Sequence, residues 1–422
     1  MMATIPPHVL LRQLFDTAVA AADPMICVPA HLPEKPTGNK VVIGAGKASA
    51  RMAEALESVW GPCEGLVITR DGYARPCQGI EVIEASHPVP DVRGLETTDR
   101  ILGLLGPLDE SAHVIALISG GASALLEHPA GNISLKELQQ LNEALLGSGA
   151  PIEQMNTVRK HLSRVKGGQL AAAAYPARMT SLIISDVAGD DPAFIASGPT
   201  VGDRSKASDA RSVLERYRIE IPASVDAVLR EFSGVLHPSS KTLSAVKNII
   251  VAAPLMSLEA AARQAKDLDI DVEIIGDAIE GEARTLARDH ASLAVDLQRR
   301  MKLGDRTKLL LSGGECTVTR QGEGIGGPNA EYALSLACAL NGACGIHALA
   351  CDTDGVDGAA DVAGAVIGPD TLAKAKMARI DPEAMLANND SHSFFEQIGD
   401  QVVPGPTLTN VNDFRAILIA AE

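Results

Sequence analysis

The chain has 422 residues, of which 46% are hydrophobic and only 3% aromatic, and its formal net charge is −16. That length exceeds one ordinary core and points to two domains. The acidic balance excludes nonspecific binding to nucleic acid or anionic membranes, which requires a basic surface to neutralise phosphate.

No apolar run approaches the roughly 20 residues of a membrane span. The seven cysteines include no C-x-x-C pair, so neither a zinc framework nor a disulfide ladder is expected, and a reducing cytoplasm is the simplest compartment. The N-terminal stretch PPHVLLRQLFDTAVAAADP has apolar residues at helical spacing broken by Arg12 and Asp16, which predicts a packed helix and not a signal peptide.

Beyond it one grammar recurs: a short apolar run, a small or acidic turn, then a helical pattern. Segments 41–47, 65–72, 113–123, 181–191, 248–254, 271–277, 308–315 and 346–355 all follow it. Runs so rich in Val, Ile and Leu predict strands buried on both faces, and the helices between them predict parallel pairing. The expected fold is α/β, with its chemistry at the carboxyl ends of the strands. Residues 201–241 are more polar and read as a peripheral helical excursion, and 299–308, RRMKLGDRTK, reads as a linker.

The first glycine turn is VVIGAGKAS, with Gly44, Gly46 and Lys47. It is not a Walker A loop, and the third glycine of a dinucleotide fingerprint is replaced by Ser49. What remains is a strand-turn-helix whose N–H groups and ammonium suit a carboxylate or phosphate; an ordinary turn with a solvated lysine is the alternative. Two further stretches, LISGGASALL and LLSGGECTVT, put Ser119-Gly120-Gly121 and Ser312-Gly313-Gly314 after apolar runs, suggesting one backbone anion loop from each half, the second followed by Glu315.

MNTVRKHLSRVKGGQLA, at 155–171, places Asn156, Arg159 or Lys160, Ser163 and Lys166 at helical spacing beside a Val158, Leu162, Val165 stripe. One face of that helix would supply two cations to an anion; a solvated face is the alternative. Asp186, Asp190 and Asp191 follow one apolar run, and Asp352, Asp354 and Asp357 follow another. Carboxylates in such turns suit Mg²⁺, which takes one or two of them plus phosphate oxygens, or a base toward a hydroxyl. GEGIGGPNAEYAL leads a glycine loop into a helix at Asn329 and Glu331, and Asn410 and Asn412 suit hydroxy-acid recognition, with a helix cap as the alternative for Asn412. His87, in EASHPVPD, reads as a loop residue.

Taken together, VVIGAGKAS, HPVPD, ALISGGASALL, MNTVRKHLSRVKGGQLA, LIISDVAGDDPAFIASGPT, LLLSGGECTV, GEGIGGPNAEYALSLA, DTDGVDG, NNDSHSFF and GPTLTNVNDFRAILI occur in order over nearly the whole chain. In these the sequence resembles the class II glycerate kinases, the glycerate 2-kinases with a MOFRL C-terminal domain. The resemblance implies ATP- and Mg²⁺-dependent phosphorylation of D-glycerate at its 2-hydroxyl to give 2-phosphoglycerate. It implies a larger Rossmann-like, parallel-sheet N-terminal domain, expected over 1–300, and a smaller α/β MOFRL-type domain over 306–422, with the active site in the cleft between them.

Lys47 matches the motif lysine regarded as catalytic. On this reading Arg159 or Lys160 joins it in neutralising the transferring group, and Asp186 or Asp190, with Asp191, orients the hydroxyl or holds Mg²⁺. The Gly44-Gly46, Ser119-Gly120-Gly121 and Ser312-Gly313-Gly314 turns, with Glu315 and Asn329, cradle the nucleotide, while Asn156, Lys166, Asn410 and Asn412 contact the acid. Where the family reads G-E-G-R-G-G-R-N-Q-E, this chain has Ile325, Pro328 and Ala330, and Ala122 stands in the usual S-G-G-G-S. Two fewer guanidinium groups keep a related small hydroxy acid among the candidate substrates. Relatives in tartrate-utilisation clusters have carried the label hydroxypyruvate reductase, so an NAD(P)H-dependent reductase is the competing expectation and a noncatalytic hydroxy-acid sensor a third. The expected partner is the small-molecule substrate, and a homodimer is an assembly the sequence allows.

Overall fold

The structure, a computed structural model, describes residues 5–231, 233–358 and 360–421. The chain divides into two compact units, Pro24–Val251 and a second made of Met1–Asp23 with Ala252–Glu422.

The strands of the first sheet are β1 (Lys40–Ala45), β2 (Gly65–Arg70), β3 (Ile80–Ala85), β4 (His113–Ile118), β5 (Arg178–Ile184) and β6 (Val246–Ala252). They lie in the order β3-β2-β1-β4-β5-β6, and β1 pairs in parallel with both β2 and β4. This is the doubly wound order: the chain runs outward from β1 to β3, then returns to the other side of β1 as β4. Alternate residues Val41, Ile43, Ala45, Val114, Ala116 and Ile118 enter one core layer, while Val42 and Leu117 are equally buried on the other face. Gly44 lies in β1 because a Cβ there would sit 2.7 Å from the Leu117 carbonyl oxygen.

The excursion forms helices Ala207–Arg216 and Ala223–Glu231. With Leu135–Gly147 and Ile152–His161 they close a small separate core around Leu138, Leu141, Val158, Leu162, Leu214 and Val225. The helix expected over 155–171 therefore stops at His161. Ser163 bridges to Pro129, Gly167 and Gly168 take left-handed φ of 59° and 84°, and a new helix begins only at Gln169. Arg159 and Lys166 do not share a helix face.

The second unit contains β7 (Asp271–Gly276), β8 (Gly281–Glu282), β9 (Lys308–Gly314), β10 (Cys316–Thr317), β11 (Ile346–Asp352), β12 (Gly364–Ile367), β13 (Gln401–Val402) and β14 (Asp413–Ile419). Apart from the short β8–β10 pair, the order is β13-β12-β11-β14-β9-β7. Only β7 with β9 is parallel in this sheet; β9–β14, β14–β11, β11–β12 and β12–β13 are antiparallel. The expectation of parallel pairing is thus corrected for 346–355, and for 308–315 on its β14 side, while its pairing with 271–276 is parallel as expected. Helices cover both faces here too, so apolar runs reveal two-sided burial without revealing strand direction.

Helices Pro7–Ala21 and Pro254–Asp267 cover one face, and Ala283–Arg300 and Pro328–Leu340 cover the other. Phe15 stacks at 5.9 Å on Phe414 of β14, and β7 pairs with β9, so residues 7–21 and 252–300 belong to the MOFRL-side unit. The boundary expected near 300–306 falls inside this unit, in the turn between a helix and β9. No helix among the described residues is long and apolar enough to cross a membrane.

Candidate active site

At the carboxyl edge of the first sheet, Lys47 follows β1, His87 follows β3, Ser119-Gly120-Gly121 follows β4 and Asp186 follows β5. The gap between β1 and β4 is the topological switch point, where open parallel sheets bind ligands.

The turn after β1 is locked to the β4 loop. The Lys47 N–H donates to the Gly120 carbonyl at 2.8 Å, the Ala48 N–H to Ser119 Oγ at 3.0 Å and the Ser49 N–H to the Gly46 carbonyl at 3.2 Å. Gly46 has φ 132°, and a Cβ on it would lie 2.1 Å from Ser119 Oγ. The N–H groups that the sequence offered to an anion are therefore spent on protein oxygens. Gly44 and Gly46 serve the close approach of β1 to β4.

The Gly120-Gly121 backbone is walled by three chemically active side chains. A Cβ on Gly120 would stand 1.9 Å from Asp186 Oδ2; one on Gly121 would stand 3.1 Å from His87 Nε2 and 3.2 Å from Lys47 Cγ. Lys47, His87 and Asp186 are all half-buried. Directly after the loop, Ser123 Oγ is 2.9 Å from Ser197 Oγ, which donates to Asn156 Oδ1 at 3.2 Å. His87, Ser123 and Ser197 carried no chemistry in the sequence reading. The available signals were HPVPD directly after β3 and IASGPT after the acidic turn; only the strand order brings them to one loop.

The basic residues disperse. Lys160 pairs with Asp203 and lies 5.1 Å from the Phe194 ring centroid. Although burial opposes ionisation, the Lys160 ammonium and the Ser205 donors hold Asp203 down at about 2. Lys166 is 1% exposed, pairs with Glu127 and donates to the Leu126 carbonyl at 3.3 Å, and burial lowers its pKa. A substrate contact needs an accessible ammonium, which Lys166 does not offer. Arg159 donates Nε to Asn142 Oδ1 at 3.0 Å and makes no ion pair among the described residues; burial lowers its pKa as well.

Asp190 sits in the turn Ala188–Asp190 with φ 55°, and exposed Asp191 accepts from the Ala193 N–H at 2.9 Å. Among the described residues no three His, Cys, Asp or Glu side chains group as a metal cage. Mg²⁺ needs only one or two carboxylates when it arrives with phosphate; Asp186 stands beside Gly120, and Asp190 lies four residues further on in the Ala188–Asp190 turn.

The second Ser-Gly-Gly differs from the first. Ser312, Gly313 and Gly314 are the last residues of β9, in register with Arg415, Phe414 and Asp413 of β14. They are ladder, not loop, and Gly314 at φ 111° admits Ile279, whose N and O would lie 2.3 Å from a Cβ. Glu315 follows them, exposed.

The 322–327 loop is pinned by the NND run: the Gln321 and Gly322 N–H groups donate to Asn389 Oδ1 at 2.8 and 2.9 Å, and the Ile325 N–H to Asp390 Oδ1 at 2.9 Å. Asn329, 1% exposed, donates to Asp413 at 2.6 Å, while Asp357 accepts from the Asn329 and Ala330 N–H groups at 2.9 and 2.8 Å. Burial disfavours the charged form of His392, but the Asp357 carboxylate outweighs it and raises the pKa. Asn410 accepts from the Asn412 N–H at 3.0 Å, and the Asn412 carbonyl accepts from Thr353 Oγ1 at 2.7 Å. Asn412 precedes strand β14, which corrects the helix-cap alternative.

A family model described as a domain of unknown function, DUF4147, matches residues 10–230, and the MOFRL family model matches 308–413. The D-glycerate 2-kinase of Thermotoga maritima is 39% identical over 97% of this chain and 98% of its own length. The chain belongs to the glycerate 2-kinase family with a MOFRL domain. The crystal structure of glycerate kinase from Thermotoga maritima superposes on this family member with a TM-score of 0.89 at 38% identity, covering 98% of this chain and 99% of that one. A protein of Agrobacterium vitis with the provisional name hydroxypyruvate reductase is 50% identical over 97% of this chain and 94% of its own length. Two activity names therefore occur among relatives of this glycerate 2-kinase family chain.

Proposed function

We propose that this protein transfers the terminal phosphoryl group of ATP to the 2-hydroxyl of D-glycerate, giving 2-phosphoglycerate and ADP. The observation that carries the reading is the switch-point loop Gly120-Gly121, walled by Lys47, His87 and Asp186. Phosphoryl transfer is mostly positioning and charge stabilisation, and this loop combines both. The 2-hydroxyl oxygen forms a bond to the terminal phosphorus as the bond to the bridging oxygen breaks.

Asp186 accepts the hydroxyl proton or, with Asp190, supplies the carboxylates for Mg²⁺, whose charge neutralises the phosphates when it is bound. Lys47 stabilises the charge on the transferring group. His87 borders the same backbone and donates to an anionic oxygen. Of the three expected cations on 159–166, Arg159 alone has no ion pair among the described residues, so it is assigned to the substrate carboxylate.

The reductase reading requires a dinucleotide pyrophosphate on the N–H groups after β1. Those of Lys47, Ala48 and Ser49 are already engaged, and β2 ends at Arg70 instead of an acidic residue. The test is ADP release dependent on D-glycerate in the wild type and in Lys47→Ala. Retained turnover in the variant removes Lys47 from the mechanism.

A further inference from the structure

Ser123 stands two residues beyond Gly121, on the short helix Ala122–Leu125, and is half-buried. Its hydroxyl meets that of Ser197 at 2.9 Å, and Ser197 Oγ in turn donates to Asn156 Oδ1 at 3.2 Å. A hydroxyl has one proton and two lone pairs. With the Ser197 proton spent on Asn156, the contact between the serines must use the proton of Ser123. On its open side Ser123 then presents lone pairs alone.

A hydroxyl in that state cannot donate to a carboxylate or a phosphate, neither of which has a proton to return. It can accept from a neutral hydroxyl. The backbone behind it is held in an uncommon conformation: Ala196 and Ser197 have φ of 55° and 60° and are 8% and 0% exposed. Non-glycine residues in this region persist where the surrounding structure over-determines them, typically at ligand sites.

We propose that Ser123 is a specificity-determining residue that accepts a hydrogen bond from the substrate hydroxyl that is not phosphorylated, with Ser197 and Asn156 as positioning residues that fix the direction of its proton. The site thereby selects 2,3-dihydroxy acids over simple 2-hydroxy acids. The choice of acid rests on the kinase reading; the acceptor role of Ser123 rests on the hydrogen-bond chain.

The test is calorimetric binding of D-glycerate and of D-lactate, which has the same configuration without the 3-hydroxyl, to the full-length protein with and without a nonhydrolysable ATP analogue and Mg²⁺. The wild type should prefer D-glycerate by about tenfold or more, because a site that hydrogen-bonds a substrate hydroxyl rejects the analogue lacking it. Ser123→Ala should lose that preference by weakening glycerate alone, and Asn156→Asp, which keeps an acceptor facing Ser197, should retain it. Equal binding of both acids by the wild type, binding of neither under any condition, an unchanged ratio in Ser123→Ala, or a lost ratio in Asn156→Asp would each overturn the proposal. Because the readout is binding, preference for glycerate without ADP formation would sink the kinase reading and leave the role of Ser123 standing.

Discussion

Replacing Gly120 with alanine puts a methyl group 1.9 Å from Asp186 Oδ2 and 2.5 Å from its Cγ. Ordinary contact requires the carboxylate to retreat by about 1.5 Å. Asp186 is half-buried, so its side chain can rotate away, and Gly120 → Ala should cost only about 1–2 kcal/mol of stability. Catalysis is less tolerant: displacing a reacting group by about 1 Å costs on the order of 10²-fold in rate. The expected variant is folded, melts within a few degrees of the wild type, and releases glycerate-dependent ADP at least about 10²-fold more slowly.

Gly46→Ala gives the contrast. Its Cβ would meet Ser119 backbone oxygen at 2.5 Å with φ at 132°, where no side chain can simply swing aside. That variant should lose about 3 kcal/mol or more of stability. Thermal melts and steady-state assays on both variants decide the matter. A Gly120→Ala enzyme with wild-type turnover would refute the placement of Asp186 in the reaction.

Lys47→Ala should lower kcat by about 10² or more through lost charge stabilisation, read in the same ADP assay. Lys166→Met leaves the Glu127 carboxylate buried and unpaired, so urea unfolding should show a loss of about 3–5 kcal/mol, with Glu127→Leu in the same chain restoring most of it. Burial, reinforced by the Arg415 charge, holds His290 down at about 4. The unfolded imidazole titrates at about 6.5, so between these values the unfolded chain binds more protons. The stability His290 contributes is complete above that upper value and falls with pH toward 4, by at most about 1.4 kcal/mol per unit. Urea midpoints across this window should slope less in His290→Gln than in the wild type; equal slopes would refute the buried neutral imidazole.

The first sheet was legible because VVIGA, HVIALI and SLIISD are continuous apolar runs ended by turns, and their order follows from the doubly wound topology. The direction of the second sheet was not, since KLLLSGG and IHALACD are as apolar as parallel strands while pairing antiparallel with DFRAILI. The two Ser-Gly-Gly tripeptides show the same limit at the site. One leaves the sheet after β4 and the other continues the ladder to β14, a difference set by a partner strand about a hundred residues later in the chain. Lys47 and Asp186 could be chosen from their strand-end positions. Lys166 could not be discounted without knowing that the chain buries Glu127 against it, nor His87 included without knowing that β3 ends on the same edge.

The most direct measurement is ADP formation by the purified protein with ATP, Mg²⁺ and D-glycerate, the product identified by phosphorus NMR and the same preparation assayed for NADH oxidation with hydroxypyruvate. Glycerate-dependent ADP release with phosphate on the 2-oxygen, and no NADH oxidation, is the expected result. Hydroxypyruvate-dependent NADH oxidation without ADP release would contradict it and make the Lys47 loop a nicotinamide site.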